Sequence, residues 1–122
     1  PYFLPEKYPS FLSFVYAAFC DNILKGFVSV EPEFFGGENR YLDLSSIHVS
    51  QDLRGQGVGS VLFAAAKKWA GEKGARKLYI SAHSAVESQA FYKKMGCVEA
   101  QIYHQQHVEA EPYDCQLECR LT

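Results

Sequence analysis

Arg54-Gly55-Gln56-Gly57-Val58-Gly59 is the stretch of this 122-residue chain best suited to chemistry. Three glycines within five residues, between an extended segment and an amphipathic one, let the backbone approach a ligand closely. The helix expected to follow presents unpaired N–H groups and a partial positive charge, a ready site for a phosphate. Arg54 adds a fixed cation with several donors. Together these residues point to a pyrophosphate-bearing cofactor. Two familiar glycine loops fit poorly. The Walker loop needs a Lys directly after its last glycine, and Ser60 stands there instead. The dinucleotide fingerprint needs the spacing G-x-G-x-x-G and an acid about twenty residues on. This chain has G-x-G-x-G, with Lys77-Leu78-Tyr79 where the acid belongs.

The pattern Arg-x-x-Gly-x-Gly over Arg54 to Gly59 resembles the coenzyme A loop of the GNAT superfamily of N-acetyltransferases. The resemblance runs on through the chain. Family members place a strand ending in hydrophobic-x-Val-x-x-x-x-Arg before the loop, matched by Ile47-His48-Val49-Ser50-Gln51-Asp52-Leu53-Arg54. After the loop come a helix, a short apolar strand (here Lys77 to Ala82) and a helix ending in Phe-Tyr-x-x-x-Gly-aromatic. The last is matched by Phe91-Tyr92-Lys93-Lys94-Met95-Gly96-Cys97. The loop alone is a weak signal; the loop and the Phe-Tyr signature at this separation are a strong one. The matching order covers roughly residues 12 to 120. The chain departs from the pattern at Ala85, where members often carry an Asn, and at Cys97, where Phe is usual.

The resemblance implies a co-substrate and a site. Acetyl-CoA would lie with its pyrophosphate on Arg54, Gly55, Gln56, Gly57, Val58, Gly59 and Ser60. Its pantetheine arm would pair with the backbone of Ile47, His48 and Val49. Ser84 or Ser88 would hold the arm in place of the missing Asn, beside Phe91. Tyr92 becomes the candidate general acid, because an ordinary Tyr (pKa near 10) can donate to a departing thiolate. Asp43 becomes the candidate base. By period two it shares a strand face with Tyr41, Ser45, Ile47 and Val49. It either accepts the amine's proton, helped by burial and a water chain, or simply attracts the cation; Ser45 is a second candidate, as water-holder. The implied reaction is acetyl transfer to a primary amine by direct attack. A non-catalytic acyl-CoA sensor is the alternative reading.

These residues need elements to carry them. Phe11 to Cys20 and Ile23 to Val30 read as a hairpin turning at Asp21-Asn22. Tyr41 to Val49 reads as a strand. Val58, Val61, Leu62, Ala65, Ala66 and Trp69 recur at helical spacing, so Gly59 to Lys73 is a helix closed by Gly74. Leu78 to Ala82 is a buried strand. Ser84 and Glu87 have capping-box spacing for a helix over Ala85 to Met95. Strands are expected over Cys97 to Gln105 and Asp114 to Leu121, with His107 and Pro112 in a loop between them. The fold class is α/β (α+β): a mixed, mostly antiparallel sheet flanked by helices, in one domain over 1–122. Pro1 to Ser10 is expected to be too short for the strand and helices that usually open such a domain.

Composition narrows the partners. Nine Phe and eight Tyr in a chain that is 48% hydrophobic can build a real core. A formal charge of −2 gives no basis for nucleic-acid or membrane binding, and no apolar run is long enough to span a bilayer. Cys20, Cys97, Cys115 and Cys119 are scattered and read as free thiols of a reducing cytosol. His104 and His107 are three apart, too few ligands for a metal. His83 is expected near the cofactor, and Lys67, Lys68, Lys93 and Lys94 on solvated helix faces, with Lys93 or Lys94 able to reach a 3′-phosphate. The partners expected are an amine acceptor and, by family habit, a second copy in a homodimer.

Overall fold

The computed structural model describes residues 2–6 and 13–121. Its elements run β1 (Tyr2–Glu6), β2 (Phe14–Cys20), β3 (Ile23–Val30), β4 (Tyr41–Val49), α1 (Val58–Lys73), β5 (Lys77–Ala82), α2 (Val86–Lys94), β6 (Val98–Glu99), α3 (Gln105–Ala110) and β7 (Cys115–Arg120). The sheet has seven strands in the order β1-β2-β3-β4-β5-β7-β6. Every pairing is antiparallel except β4 with β5. This is the mixed, mostly antiparallel sheet expected from the sequence.

The hairpin turns where Asp21 and Asn22 adopt positive φ, 53° and 64°, the conformation that matches the twist of its flanking strands. The expected start of that hairpin at Phe11 lies outside the described residues. Gly74 closes α1, with its N–H on the Ala70 and Gly71 carbonyls.

Four expectations are corrected. Tyr2–Glu6 forms a strand on β2, where the sequence reading placed none. Its internal Pro5 argues against a strand in general but is compatible with this edge position. Ser84 does not cap α2. The cap is Ala85, whose N–H donates to His83 Nδ1 at 3.0 Å, and His83 in turn accepts from Gln89 at its carbonyl. The strand expected over Cys97 to Gln105 shrinks to Val98–Glu99. Past Glu99 one more backbone bond runs to β7, from the Ala100 N–H to the Gln116 carbonyl, and the Gln101 N–H then donates to the Glu118 carboxylate at 2.9 Å. The expected loop around His107 is the helix α3, capped by His104, whose Nδ1 accepts from the His107 N–H.

The sheet has two unlike faces. On one, α1 and α2 cover Val28, Val30, Leu42, Leu44, Leu78 and Ile80, and contribute Leu62, Phe63, Ala66, Ala70 and Tyr92. On the other, Phe35, Tyr41, Tyr79 and Ala100 cluster, and the rings of His104 and His107 pack onto Tyr79. Charge is buried on this second face. Lys77 Nζ meets Glu118 Oε2 at 2.7 Å, and the Tyr41 hydroxyl donates to Glu118 Oε1 at 2.5 Å. Burial works to raise the Glu118 carboxyl, but hydrogen bonds from Lys77, Tyr41 and the Gln101 N–H outweigh it and hold the group below its ordinary value of 4.5.

Replacing Lys77 by Met strands that carboxylate, a loss that costs about 3–5 kcal/mol for a buried pair. A depressed carboxyl stabilises above its unfolded-state pKa, and that stability is lost as pH falls through the folded value. Urea unfolding should therefore show a large deficit for Lys77→Met at pH 7 that narrows below about pH 4. A deficit that does not change with pH would mean the charge of Glu118 is not what the lysine holds.

Candidate active site

The site begins with one extra residue in β4. Val30 pairs with Leu44 and Ser29 with Ser46, so Ser45 is bulged out of the ladder. A bulge resets the alternation of side chains. Leu42 and Leu44 face the α1 core before it, and Ile47 and Val49 face the same core after it. The expectation that Asp43 shares a face with Ile47 and Val49 is thus corrected, because strict period two does not survive the bulge. Asp43 lies on the opposite face, beside Tyr79, its register partner on β5. The Ser45 hydroxyl bonds to the Ser29 hydroxyl at 2.8 Å and to the Ser29 carbonyl at 3.3 Å.

The two parallel strands part at the same point. Pairing of β4 with β5 runs from Tyr41↔Lys77 to Leu44↔Ile80 and ends there. Beyond it, Ile47, His48 and Val49 pair only with β3, and Ser81 and Ala82 only with β7. The backbone of β4 therefore has an open edge, able to pair with an extended, amide-bearing ligand as a strand would. His48 points off the core side and packs near Phe27.

The glycine loop stands at the end of this edge. Gly55 and Gly57 both have φ of 80°, and a Cβ on either would meet nothing within 4 Å. The N–H groups of Gly55, Gly57, Val58, Gly59 and Ser60 have no hydrogen-bond partner among the described residues, and α1's first backbone bond is from Val61 to Gly57. Arg54 is exposed, with Nε 3.4 Å from the Val49 carbonyl. Unfilled donors, open space and a cation at a helix start fit a pyrophosphate. An open strand edge leading away from them fits a pantetheine arm. These residues fit coenzyme A.

Gly59 joins the loop to the second motif. A Cβ there would lie 3.1 Å from Phe91 Cε1 and 3.8 Å from Val49 Cγ2. Any side chain at position 59 would press on the Phe91 ring, which would have to shift by a few tenths of an ångström. Phe63 of α1 then holds both aromatic neighbours by their edges, with ring centroids 6.0 Å from Phe91 and 6.2 Å from Tyr92. Tyr92 is 7% exposed. Its hydroxyl has no hydrogen-bond partner among the described residues, and burial, aided by Cys97 and Asp114, pushes it up to about 12. Ser84 precedes α2 and Ser88 lies in its first turn. Lys93 and Lys94 are exposed at the far end of the helix.

The other face carries a group that the sequence reading did not assign to the site. His107 Nε2 lies 2.7 Å from Asp43 Oδ2. Burial raises the Asp43 carboxyl above its ordinary value, against the lowering effect of the His107 hydrogen bond. Asp43 Oδ1 is enclosed with no partner. The spacing His104-x-x-His107 is the available signal, since residues three apart share a helix face, and the structure places these two at the start of α3 rather than in a strand and a loop. Among the described residues, no group of three His, Cys, Asp or Glu could hold a metal. All four cysteines are free, and no described helix is long and apolar enough to cross a membrane.

A sheet opened beside a glycine loop, with two helices on one face, defines an α/β protein with room for an extended, phosphate-bearing ligand. The sequence model of the Acetyltransferase (GNAT) family matches residues 2–97, and the chain belongs to that family. A search of curated sequences gives no match. Solved structures with the same fold include nourseothricin acetyltransferase, at 24% identity and a TM-score of 0.72, covering 90% of this chain and 66% of that one. Another is the PaiA N-acetyltransferase of Thermoplasma acidophilum in complex with coenzyme A, at 18% identity and a TM-score of 0.68, covering 88% and 60%. A third is a GNAT family acetyltransferase of Elizabethkingia anophelis with acetyl-CoA bound, at 19% identity and a TM-score of 0.66, covering 88% and 76%. The chain thus spans less than two thirds of the length of the first two.

Acetyl-CoA at about a hundred times its Kd should stabilise the native protein by about 2.7 kcal/mol, read as a rise in Tm. Gly57→Glu introduces a side chain at φ 80° and a negative charge beside the phosphates, so it should abolish that rise while leaving the variant folded. A full thermal shift in the variant would remove the loop from the site.

Proposed function

We propose that this protein transfers the acetyl group of acetyl-CoA to a primary amine of a small molecule or protein, by direct attack within a ternary complex. The observation that carries this reading is the parting of β4 from β5 after Leu44 and Ile80, next to the glycine loop. It supports a thioester lying in an opening of the sheet, reachable from both faces.

Bound acetyl-CoA supplies the activated acyl carbon. The chain's own groups do the rest. Gly55, Gly57, Val58, Gly59 and Ser60 offer N–H donors to the phosphates, with Arg54 and Gln56 at the rim. The backbone of Ile47, His48 and Val49 holds the arm, and one of its N–H groups faces the carbonyl oxygen that gains charge. Ser84 and Ser88 flank the arm from the start of α2, and Phe91 walls it. Asp43 supplies negative charge on the amine's side of the sheet, and Tyr92 serves the sulfur on the other. A hydroxyl pushed up to about 12 stays protonated throughout the working range. Tyr92 therefore acts as a constant hydrogen-bond donor to the departing thiolate. The free thiols support a reducing cytosol as the working compartment.

Tyr92→Phe removes a hydroxyl that has no partner among the described residues, so stability should change by less than about 1 kcal/mol. Acetyl-CoA affinity should be retained, and single-turnover acetyl transfer should slow by about a hundredfold. The measurement is thiol release over a panel of primary amines. A variant rate within about threefold of the parent, against that expected hundredfold, would reduce Tyr92 to a core residue. Absence of thiol release with every amine, despite a thermal shift, would favour an acyl-CoA sensor.

A further inference from the structure

We propose that His107 is the group that takes the proton from the incoming amine, with Asp43 as its buried positioning partner. The inference rests on the acetyltransferase reading above and assigns a residue to its acceptor side.

Accessibility decides between the two members of the pair. Asp43 is 8% exposed, its Oδ1 is wholly enclosed, and its Oδ2 is occupied by His107. An amine cannot reach either oxygen without displacing protein. The His107 side chain is 31% exposed. Because Nε2 faces a carboxylate, the neutral imidazole carries its proton there and leaves the lone pair on Nδ1, as in other His–carboxylate pairs. The ring plane is fixed as well. Tyr79 stacks on it at 6.2 Å with an interplanar angle of 12°, and the His104 ring lies 4.4 Å away. Tyr79 is itself pinned, since its hydroxyl donates to Gln116 and accepts the His104 N–H.

Position supports the same assignment. Asp43 stands one residue before the last β4–β5 pair. The dyad therefore lies beside the opening of the sheet, on the face opposite the one into which Tyr92 packs. An attacking nitrogen and a leaving sulfur occupy different sides of the acyl carbon, so a base and a donor on opposite faces suit the reaction. Chemistry points the same way. An ordinary imidazole, with a pKa near 6.5, is a stronger base than an ordinary carboxylate near 4. The groups facing the dyad are Glu31, just past the end of β3, Tyr79 from β5, and His104 at the start of α3.

The proton count closes. An alkylammonium loses two protons in becoming an amide. The first goes to Nδ1 of His107 and from its exposed edge to water. The freed nitrogen lone pair forms the C–N bond. The second proton leaves that nitrogen and ends on the sulfur as the C–S bond breaks, with Tyr92 donating a hydrogen bond there. Asp43 stays ionised and stabilises the imidazolium.

Three proteins, the parent, His107→Gln and Asp43→Asn, test this with a primary amine that the parent acetylates. The parent's kcat/KM should fall on acidification. His107→Gln should lose that acid limb and about a hundredfold in rate, with its acetyl-CoA thermal shift intact. Asp43→Asn should keep the limb but move it to lower pH, the mark of a partner that acts through the imidazole. An NMR titration of the His107 Cε1 proton, which needs no substrate, should show the same downward move in Asp43→Asn. An acid limb retained in His107→Gln with a rate within about threefold of the parent, where a hundredfold loss is expected, would overturn the assignment while leaving acetyl transfer standing. So would a His107 titration indifferent to Asp43. A parent that binds acetyl-CoA and acetylates no amine would overturn both readings together.

Discussion

One unpaired residue in β4 governs this structure. Because Ser45 is extra to the ladder, the strand presents Leu42 and Leu44, then Ile47 and Val49, to the same helical core. Without it, half of these apolar side chains would turn to the other face, since a one-residue shift in a strand reverses every side chain beyond it. The bulge falls where the strand leaves its parallel neighbour, just past Leu44. Core packing and the opening of the sheet thus meet at one backbone irregularity. The opening lies in the middle of a sheet, where backbone groups otherwise pair completely.

The two motifs that carry the family resemblance lie more than thirty residues apart in sequence, Gly59 against Phe91, yet they touch. Their contact is steric. Phe91 occupies the space a side chain at position 59 would need, and Val49 closes the third side. Phe63 then locks the pair of aromatic rings on α2. The consequence for function is that the end of β4, the start of α1 and the inner side of α2 form one packed junction. A site built on such packed elements holds its groups more firmly than one built on loops.

The opposite face is organised by polarity. Glu118 gathers Lys77, Tyr41 and the Gln101 N–H, Gln116 gathers Tyr79 and Ser81, and Asp43 gathers His107. Buried groups of this kind hold their geometry because each partner lost would leave another group unsatisfied. Asp43 Oδ1 departs from that rule as the one enclosed side-chain oxygen or nitrogen among the described residues with no partner. It lies beside the opening of the sheet, on the carboxylate whose other oxygen meets His107.

The sequence by itself determined the parts whose cause is local. Three glycines before an apolar helical stripe mark a strand, loop and helix wherever they occur, and α1 and its Gly74 cap lie where the periodicity set them. The Asp21-Asn22 turn and the apolar run of β5 were equally legible, because each depends on a few neighbouring side chains. What the sequence could not settle was set by partners distant in the chain. The face of Asp43 depends on how β3 registers against β4, and alternation within β4 alone gives the opposite answer. The chain just past β6 is held by a Glu118 carboxylate that captures the Gln101 N–H from a distant strand. His107 enters the site only because α3 brings it over Tyr79, within 2.7 Å of an aspartate sixty-four residues away. Backbone propensity and side-chain period act over a few residues, whereas bulges, strand ends and buried ion pairs are settled by the competition of distant groups for the same hydrogen-bonding atoms.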